Sequence, residues 1–210
     1  NGLIHHFRLD ASLSNAVTGA TDLVLDTIQY CSGISIPNLA TDFTTDRKGR
    51  SNSAYLLRSQ LKNMFFSCDT SAPKSVPVTI SNSLKTKNTI ALGNGDRAIA
   101  FWAKMPKVTA SQIFKFHQGS SGIAPKSTFA LDVKGGGIQP NVTAYTWGGG
   151  ANDIVFNTPI DTNWHFFVVT IESSILYLNI DKNLVASTNI SGFNTTAGQL
   201  RLGQLFAQDS

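Results

Sequence analysis

The acidic residues of this chain are the side chains that could carry hydrolytic chemistry. Glu172 is its only glutamate. Retaining hydrolysis of a glycosidic bond needs two carboxyls about 5 Å apart, one of them kept protonated. With only one glutamate present, the carboxyls would have to come from aspartates, and the candidates are Asp132, Asp153, Asp161 and Asp181. Since Asp161 and Asp181 stand in turn-like contexts that favour aspartate for structural reasons, the sequence predicts that the chain is not an enzyme.

Nucleophilic catalysis by serine or cysteine finds no support in the sequence. There is no Gly-x-Ser-x-Gly segment, and neither cysteine is accompanied by a histidine in a recognisable pattern. Cys31 and Cys68 could instead form one disulfide, and two buried free thiols are the alternative.

The histidines do not predict a zinc site. His5 and His6 are adjacent, so in a strand their side chains point to opposite faces. The paired Cys/His spacing of zinc fingers is also missing. Oxygen ligands could come from Asp10, Asn15 and Asp153, which makes Ca²⁺ a candidate cofactor.

A glycine-rich stretch carries the best candidates for ligand binding. Trp147 follows Tyr145 closely and precedes three consecutive glycines. Aromatic rings beside a loop that allows close backbone approach could stack on a sugar or on an apolar anchor of a protein partner. Asn152 and Asp153 could hydrogen-bond to hydroxyl groups. The alternative is that Trp147 only covers one sheet.

Composition favours one all-β domain over residues 1–210. The formal net charge is +4, only 14% of residues are charged, and the basic residues form no stripe with interleaved aromatics. We therefore expect no nucleic-acid partner. No run of about 18 apolar residues occurs, so we expect no membrane insertion. A chain with one glutamate has little material for charged helical faces.

The segment 163–203 indicates the elements that position the candidate residues. Apolar and polar side chains alternate along Leu176–Ile180, which is the period-two pattern of a half-buried strand. The interruption at Asp181–Asn183 predicts a β-hairpin turn in which Asn183 takes a positive φ.

Motifs along the whole chain keep one order. They are an opening strand at Leu3–Leu9, a polar loop at Asp46–Tyr55, a Trp-containing strand at Ala98–Lys104, and the hairpin region 163–203. This order resembles the laminin-G-like, concanavalin A-like lectin/glucanase jelly-roll family. The resemblance implies a two-sheet antiparallel β-sandwich with Trp102 and Trp164 in its core.

The resemblance also implies that one strand is missing. Family members usually continue into a final strand that lies beside the first, whereas this sequence stops at Ser210. We therefore expect an unpaired edge that could join another subunit. Its residues are Leu3, His5, Phe7 and Leu9. Three explanations stay open: a fragment, a strand beyond the given sequence, or a strand supplied by a neighbouring subunit.

Taken together, the resemblance and the composition predict a function in recognition. We expect a non-enzymatic extracellular or cell-surface adhesion module that binds glycan or protein through loops at the rim of the sandwich. The alternative is a structural subunit of a surface assembly or filament, in which a neighbouring chain completes the sheet.

Overall fold

In the computed structural model, the regular elements among the described residues are all β-strands. The described residues are 6–9, 11–25, 41–56, 59–66, 74–81, 83–104, 111–117, 128–134, 141–146, 154–195 and 197–203. Within these ranges there is no helix, and so none that could span a membrane. The chain divides into two compact units, residues 1–88 and 89–210. The prediction of a single domain over 1–210 stays a prediction.

The first unit contains three antiparallel strand pairs. They are β1 (Leu23–Leu25) with β6 (Leu84–Thr86), β2 (Phe43–Thr44) with β3 (Ala54–Tyr55), and β4 (Ser59–Phe66) with β5 (Lys74–Ser81). The loop between β2 and β3 is organised by Asp46. Its carboxylate accepts the backbone N–H groups of Lys48 and Arg50, both at 2.9 Å, and the Arg50 guanidinium at 2.8 Å.

The second unit contains the remaining nine strands. They are β7 (Arg97–Lys104), β8 (Ser111–His117), β9 (Phe129–Lys134), β10 (Asn141–Thr146), β11 (Ile154–Pro159), β12 (Trp164–Glu172), β13 (Ile175–Ile180), β14 (Asn183–Asn189) and β15 (Gln199–Leu202). Within this unit one sheet has the order β15-β8-β9-β10-β11 and the other β14-β13-β12-β7. All these pairs are antiparallel. The prediction of an all-β, two-sheet antiparallel sandwich is confirmed.

Period-two alternation builds the core of the second unit. On β13, Leu176, Leu178 and Ile180 are buried, as the alternation predicts. On β12, the inward positions include Phe167, whose ring stacks on that of Phe101 with centroids 5.3 Å apart. The central sheet positions are therefore filled by aliphatic and phenylalanine side chains.

The predicted core positions of two tryptophans are wrong. Trp102 is 43% exposed, and it alternates with the inward Phe101 on β7. Trp164 pairs with the exposed Lys104 and is half-buried, on the same outward parity as Trp102. The physical reason is that the inward positions of the two strands are already occupied by the stacked phenylalanines.

Arg97 lies at the beginning of β7 and contacts rings of the core. Its guanidinium carbon is 5.1 Å from the centroid of the Phe193 ring and 6.0 Å from that of Phe129 on β9. The same group donates to the carbonyl oxygens of Gly93 at 2.7 Å and Gly95 at 2.8 Å. Burial lowers the pKa of Arg97 to about 10, with the charge of Asp96 opposing the shift, so the side chain stays protonated at neutral pH.

We expect Arg97→Ala to lower the free energy of unfolding of the second unit by about 2–4 kcal/mol. The variant removes charge-assisted hydrogen bonds, each worth ~1.5–3 kcal/mol, and cation–π contacts. Urea unfolding would measure the loss. The matched control is Lys104→Ala, which removes an exposed basic residue from the other end of β7. Equal losses in both variants would contradict the role given to Arg97.

Candidate active site

Two turns bring three titratable side chains together at one end of the sheet β14-β13-β12-β7. After β11, the Asp161 carboxylate accepts the backbone N–H of Asn163 at 2.7 Å, which shapes the entry into β12. His165 is the second residue of that strand. Asp181 lies in the tight turn between β13 and β14, and its carboxylate accepts the backbone N–H of Phe166 at 2.9 Å.

The tight turn differs from the prediction in one detail. Asp181 and Lys182 carry the positive φ values, 51° and 72°, while Asn183 is already the first residue of β14. Two consecutive positive φ values are the signature of the type I′ turns that suit the twist of a two-residue hairpin. The hairpin was therefore predicted correctly and its turn residues were placed too late by one position.

His165 is held between two carboxylates. Its Nδ1 lies 2.6 Å from Oδ2 of Asp181, and its Nε2 lies 2.8 Å from Oδ1 of Asp161. A neutral imidazole has one N–H, whereas the imidazolium has two. Both ring nitrogens can therefore donate to the two carboxylates at the same time only when the ring is protonated. We call Asp161, His165 and Asp181 the Asp–His–Asp cluster.

The pKa values shift in the directions that this arrangement requires. Burial works to lower the pKa of His165, but the hydrogen bonds and charges of Asp181 and Asp161 outweigh it and raise that pKa above the ordinary 6.5. The N–H of Asn163 and the His165 ring lower the pKa of Asp161 below 3.8. The N–H of Phe166 and the same ring lower the pKa of Asp181. All three shifts favour the state with an imidazolium and two carboxylates.

The cluster opens into a solvent-accessible pocket of about 310 Å³. Its other lining residues are Pro159, Ile160, Ile180, Asn183 and Val185. The side chains of Asp161 and Asp181 are 50% and 44% exposed, while His165 is 15% exposed. The carboxylates are therefore accessible to a ligand, and the imidazolium is held behind them in a partly apolar surrounding.

We expect stability to be greatest between about pH 4 and 6.5. The pKa of His165 is raised, so its contribution is complete below 6.5 and is lost as the pH rises through the raised value. The pKa values of Asp161 and Asp181 are lowered, so their contributions are present above 3.8 and are lost as the pH falls through the lowered values.

Urea unfolding across this pH range would measure the dependence. As a control, His165→Asn should flatten the alkaline side of the profile. An unfolding free energy that stays constant between about pH 6 and 9 in the wild-type protein would contradict the cluster's protonation state.

Metal binding finds no support in the described part of the chain. No group of three His, Cys, Asp or Glu side chains among those residues is arranged to hold a metal ion. The amide oxygen of Asn15 accepts the backbone N–H groups of His6 at 3.0 Å and Val17 at 2.9 Å. Asp10 and Asp153 lie outside the described residues. The Ca²⁺ site stays a prediction.

For most of the other predicted site residues, the structure does not describe the side chain. Tyr145 lies on β10, which is described as backbone only, and Trp147, Asn152 and Asp153 lie outside the described residues. So do both halves of the candidate disulfide, Cys31 and Cys68. The glycine-loop ligand site and the disulfide stay predictions.

The candidate inter-subunit edge is described only in part. Leu3 and His5 lie outside the described residues. Phe7 forms an isolated antiparallel bridge with Asn15, and Leu9 has a φ of 57°, which is not a strand conformation. Association through this edge stays a prediction.

Sequence reasoning considered the residues of the cluster singly and missed that they meet. Asp161 and Asp181 were interpreted as turn formers, which they also are, since both carboxylates accept a backbone N–H in their turns. The available signal was that Asp161 directly precedes the predicted hairpin region 163–203, His165 lies near its start, and Asp181 lies in its predicted turn. Asp132, which was also a candidate, lies on β9, and its side chain is not described.

Solved structures similar to this chain are enzymes that act on glycans. An endo-acting O-glycanase of human gut microbiota, of the kind that initiates mucin breakdown, has a TM-score of 0.48 at 16% identity, covering 71% of this chain and 62% of that one. The chain thus spans less than two thirds of that structure's length. A Bacillus licheniformis β-glucanase has a TM-score of 0.49 at 13% identity, with coverages of 91% and 81%.

The laminarinase catalytic domain of Thermotoga maritima has a TM-score of 0.50 at 14% identity, covering 87% of this chain and 86% of that one. No curated protein matches the sequence. At these identities the likenesses show the fold.

The prediction of a non-enzymatic function is contradicted by the likeness of the fold to the laminarinase catalytic domain. The same finding contradicts the structural-subunit alternative and the prediction that the chain is not an enzyme. The sequence argument set Asp161 and Asp181 aside as turn formers, whereas the structure brings both carboxyls to one pocket.

A family model described as the concanavalin A-like lectin/glucanases superfamily matches residues 78–210, which is more than half of the sequence. It agrees with the two antiparallel sheets and with the motifs from which the resemblance was inferred. The chain belongs to the concanavalin A-like lectin/glucanase superfamily.

Proposed function

We propose that this chain is a carbohydrate-active enzyme domain that hydrolyses glycosidic bonds of a glucan, with the Asp–His–Asp cluster as its active site. The observation that carries the proposal is the imidazole of His165 held between two accessible carboxylates in a pocket of about 310 Å³. The glucan substrate class comes from the description of the superfamily. An extracellular or cell-surface setting, where polysaccharides occur, is part of the same proposal.

The cluster supplies both proton-transfer roles that hydrolysis needs. The Asp161 carboxylate takes a proton from a water molecule as the water oxygen bonds to the anomeric carbon. His165 gives its Nδ1 proton to the departing sugar oxygen as the glycosidic bond breaks. The proton on Asp161 then passes to solvent, and Nδ1 of His165 takes a proton from solvent, which restores the starting state.

The spacing of the carboxyls disfavours a covalent glycosyl intermediate. Asp161 and Asp181 are separated by the imidazole ring and a hydrogen bond on each side. That separation is wider than the about 5–5.5 Å of carboxyl pairs that form such an intermediate. Asp181 holds the imidazole in position from the turn.

The proposal is tested by incubating the protein with soluble glucans. Mixed-linkage β-glucan and laminarin would be used, with mucin as a chemically different substrate, and new reducing ends would be measured. We expect release from at least one glucan by the wild-type protein and little from Asp161→Asn.

The matched control for this assay is Asp96→Asn. Asp96 is an exposed aspartate of the same unit whose side-chain oxygen accepts the Ser173 N–H, and asparagine can keep that bond. This variant should retain full activity. No release from either glucan by the wild-type protein, or equal activity in wild type and Asp161→Asn, would refute the proposal.

A further inference from the structure

The outward face of the second sheet carries several aromatic rings. Since side chains alternate along a strand, Phe166 and Glu172 on β12 share the face of Trp102 on β7 and Tyr177 on β13. We define the outer aromatic face by the following residues: Trp102, Phe166, Thr170, Glu172, Tyr177 and Asn179. This set contains three aromatic rings and one carboxylate, that of Glu172.

One end of the face is a pair of rings. Trp102 and Phe166 are cross-strand partners, with ring centroids 5.2 Å apart and planes tilted by 37°. Next to them on β7 stand Ala100 and Ala98, which are both exposed. Small exposed side chains therefore stand beside the ring of Trp102 on this strand.

The other end of the face is a recess of about 250 Å³. It is lined by Thr170, Glu172, Tyr177, Asn179 and Leu184. Thr170 and Tyr177 are cross-strand partners, so the hydroxyl, carboxylate and amide groups surround the tyrosine ring. A ligand here would meet a ring surface and hydrogen-bonding groups together.

This combination fits a neutral sugar chain. Sugar rings present apolar C–H faces that stack on aromatic rings, and hydroxyls that need donors and acceptors around them. From Phe166 to Thr170 is four residues, about 13 Å along a strand at ~3.3 Å per residue. Rings at both ends of such a span suit an extended oligosaccharide and not a single sugar.

The face is separate from the Asp–His–Asp cluster. His165 and Phe166 are consecutive residues of β12, and their side chains therefore leave the sheet on opposite sides. The recess and the cluster's pocket share no lining residue.

We propose that the outer aromatic face is a second glycan-binding surface, which binds an extended neutral polysaccharide chain away from the catalytic pocket. It goes beyond the proposed hydrolysis, because it depends on different residues and predicts binding even in a variant that cannot cleave.

The test measures binding to soluble mixed-linkage β-glucan by affinity gel electrophoresis, using the whole chain carrying Asp161→Asn so that the polysaccharide is not degraded. Against this background, Trp102→Ala and Tyr177→Ala should each weaken binding by about tenfold or more, the equivalent of about 1.4 kcal/mol. Trp102→Tyr, which keeps a ring, should retain most of the affinity. Leu56→Ala, an exposed apolar residue of the first unit, is the matched control and should bind like its parent.

A second measurement needs no substitution on the face. Bound β-glucan should protect Trp102 from oxidation by N-bromosuccinimide, as followed by peptide mass, whereas glucose at the same mass concentration should not. Absence of binding, or binding that the ring variants leave unchanged, would overturn the proposal. So would a change in self-association in those variants with glucan binding intact, because the face would then be a protein interface. If the wild-type protein does not hydrolyse glucan but Trp102→Ala and Tyr177→Ala weaken glucan binding, only the proposed catalysis is refuted.

Discussion

Replacing Phe167 by alanine should lower the free energy of unfolding of the second unit by about 3–5 kcal/mol, the range of large-to-small aromatic substitutions in cores. Phe167 is fully buried at the centre of β12 and stacks on Phe101 with an interplanar angle of 17°. Truncation removes its buried apolar area and leaves a cavity that the two surrounding sheets cannot close. We expect this loss of stability to exceed that of Arg97→Ala.

The matched control is the neighbouring residue. Phe166→Ala removes the same side chain from the outward face, where it contacts Trp102, and should cost about 1 kcal/mol or less. Urea unfolding of both variants measures the difference directly. If Phe166→Ala were the more damaging substitution, the register of β12 would be shifted by one residue.

Replacing His165 by glutamine should reduce glucan hydrolysis by about 10²–10⁴-fold, the usual contribution of a positioned proton donor. Glutamine can still donate a hydrogen bond, but it carries no transferable proton and no charge. The two carboxylates then repel each other across the site without a cation between them. The loss should appear in kcat, since the proton is transferred in the transition state.

The pH dependence distinguishes this role from a structural one. Wild-type hydrolysis should fall as the pH rises through the raised pKa of His165 and as it falls through the lowered pKa of Asp161. His6→Gln, a substitution at an exposed histidine of the first unit, is the matched control and should leave the profile unchanged. A His165→Gln variant that is folded and fully active would show that the imidazole does no chemistry.

Much of the fold could be predicted because strand periodicity is local. The alternation around Leu178 identified the buried face of β13, and the burial of Leu176 and Ile180 confirms it. The tryptophans were misplaced because an apolar residue type does not itself reveal which face it occupies. Only the pairing of Phe167 with Phe101 shows that the inward places are taken and that Trp102 points outward.

The candidate site was harder to predict because its contacts are not local. Asp161 and His165 are four residues apart, but Asp181 reaches the ring from the far end of a hairpin, sixteen residues along the chain. The sequence shows each aspartate as a turn former, and only the register of β12 with β13 brings both carboxylates to the same imidazole. The charge of the cluster follows from that geometry.

The central claim is that glucan is cleaved at the Asp–His–Asp cluster. The most direct test is proton NMR of mixed-linkage β-glucan during the first turnovers of the wild-type protein, with Asp161→Asn beside it. The account predicts that signals of new reducing ends appear with the wild-type protein and are nearly absent with the variant. No new reducing ends with the wild-type protein, or equal release by Asp161→Asn, would contradict it.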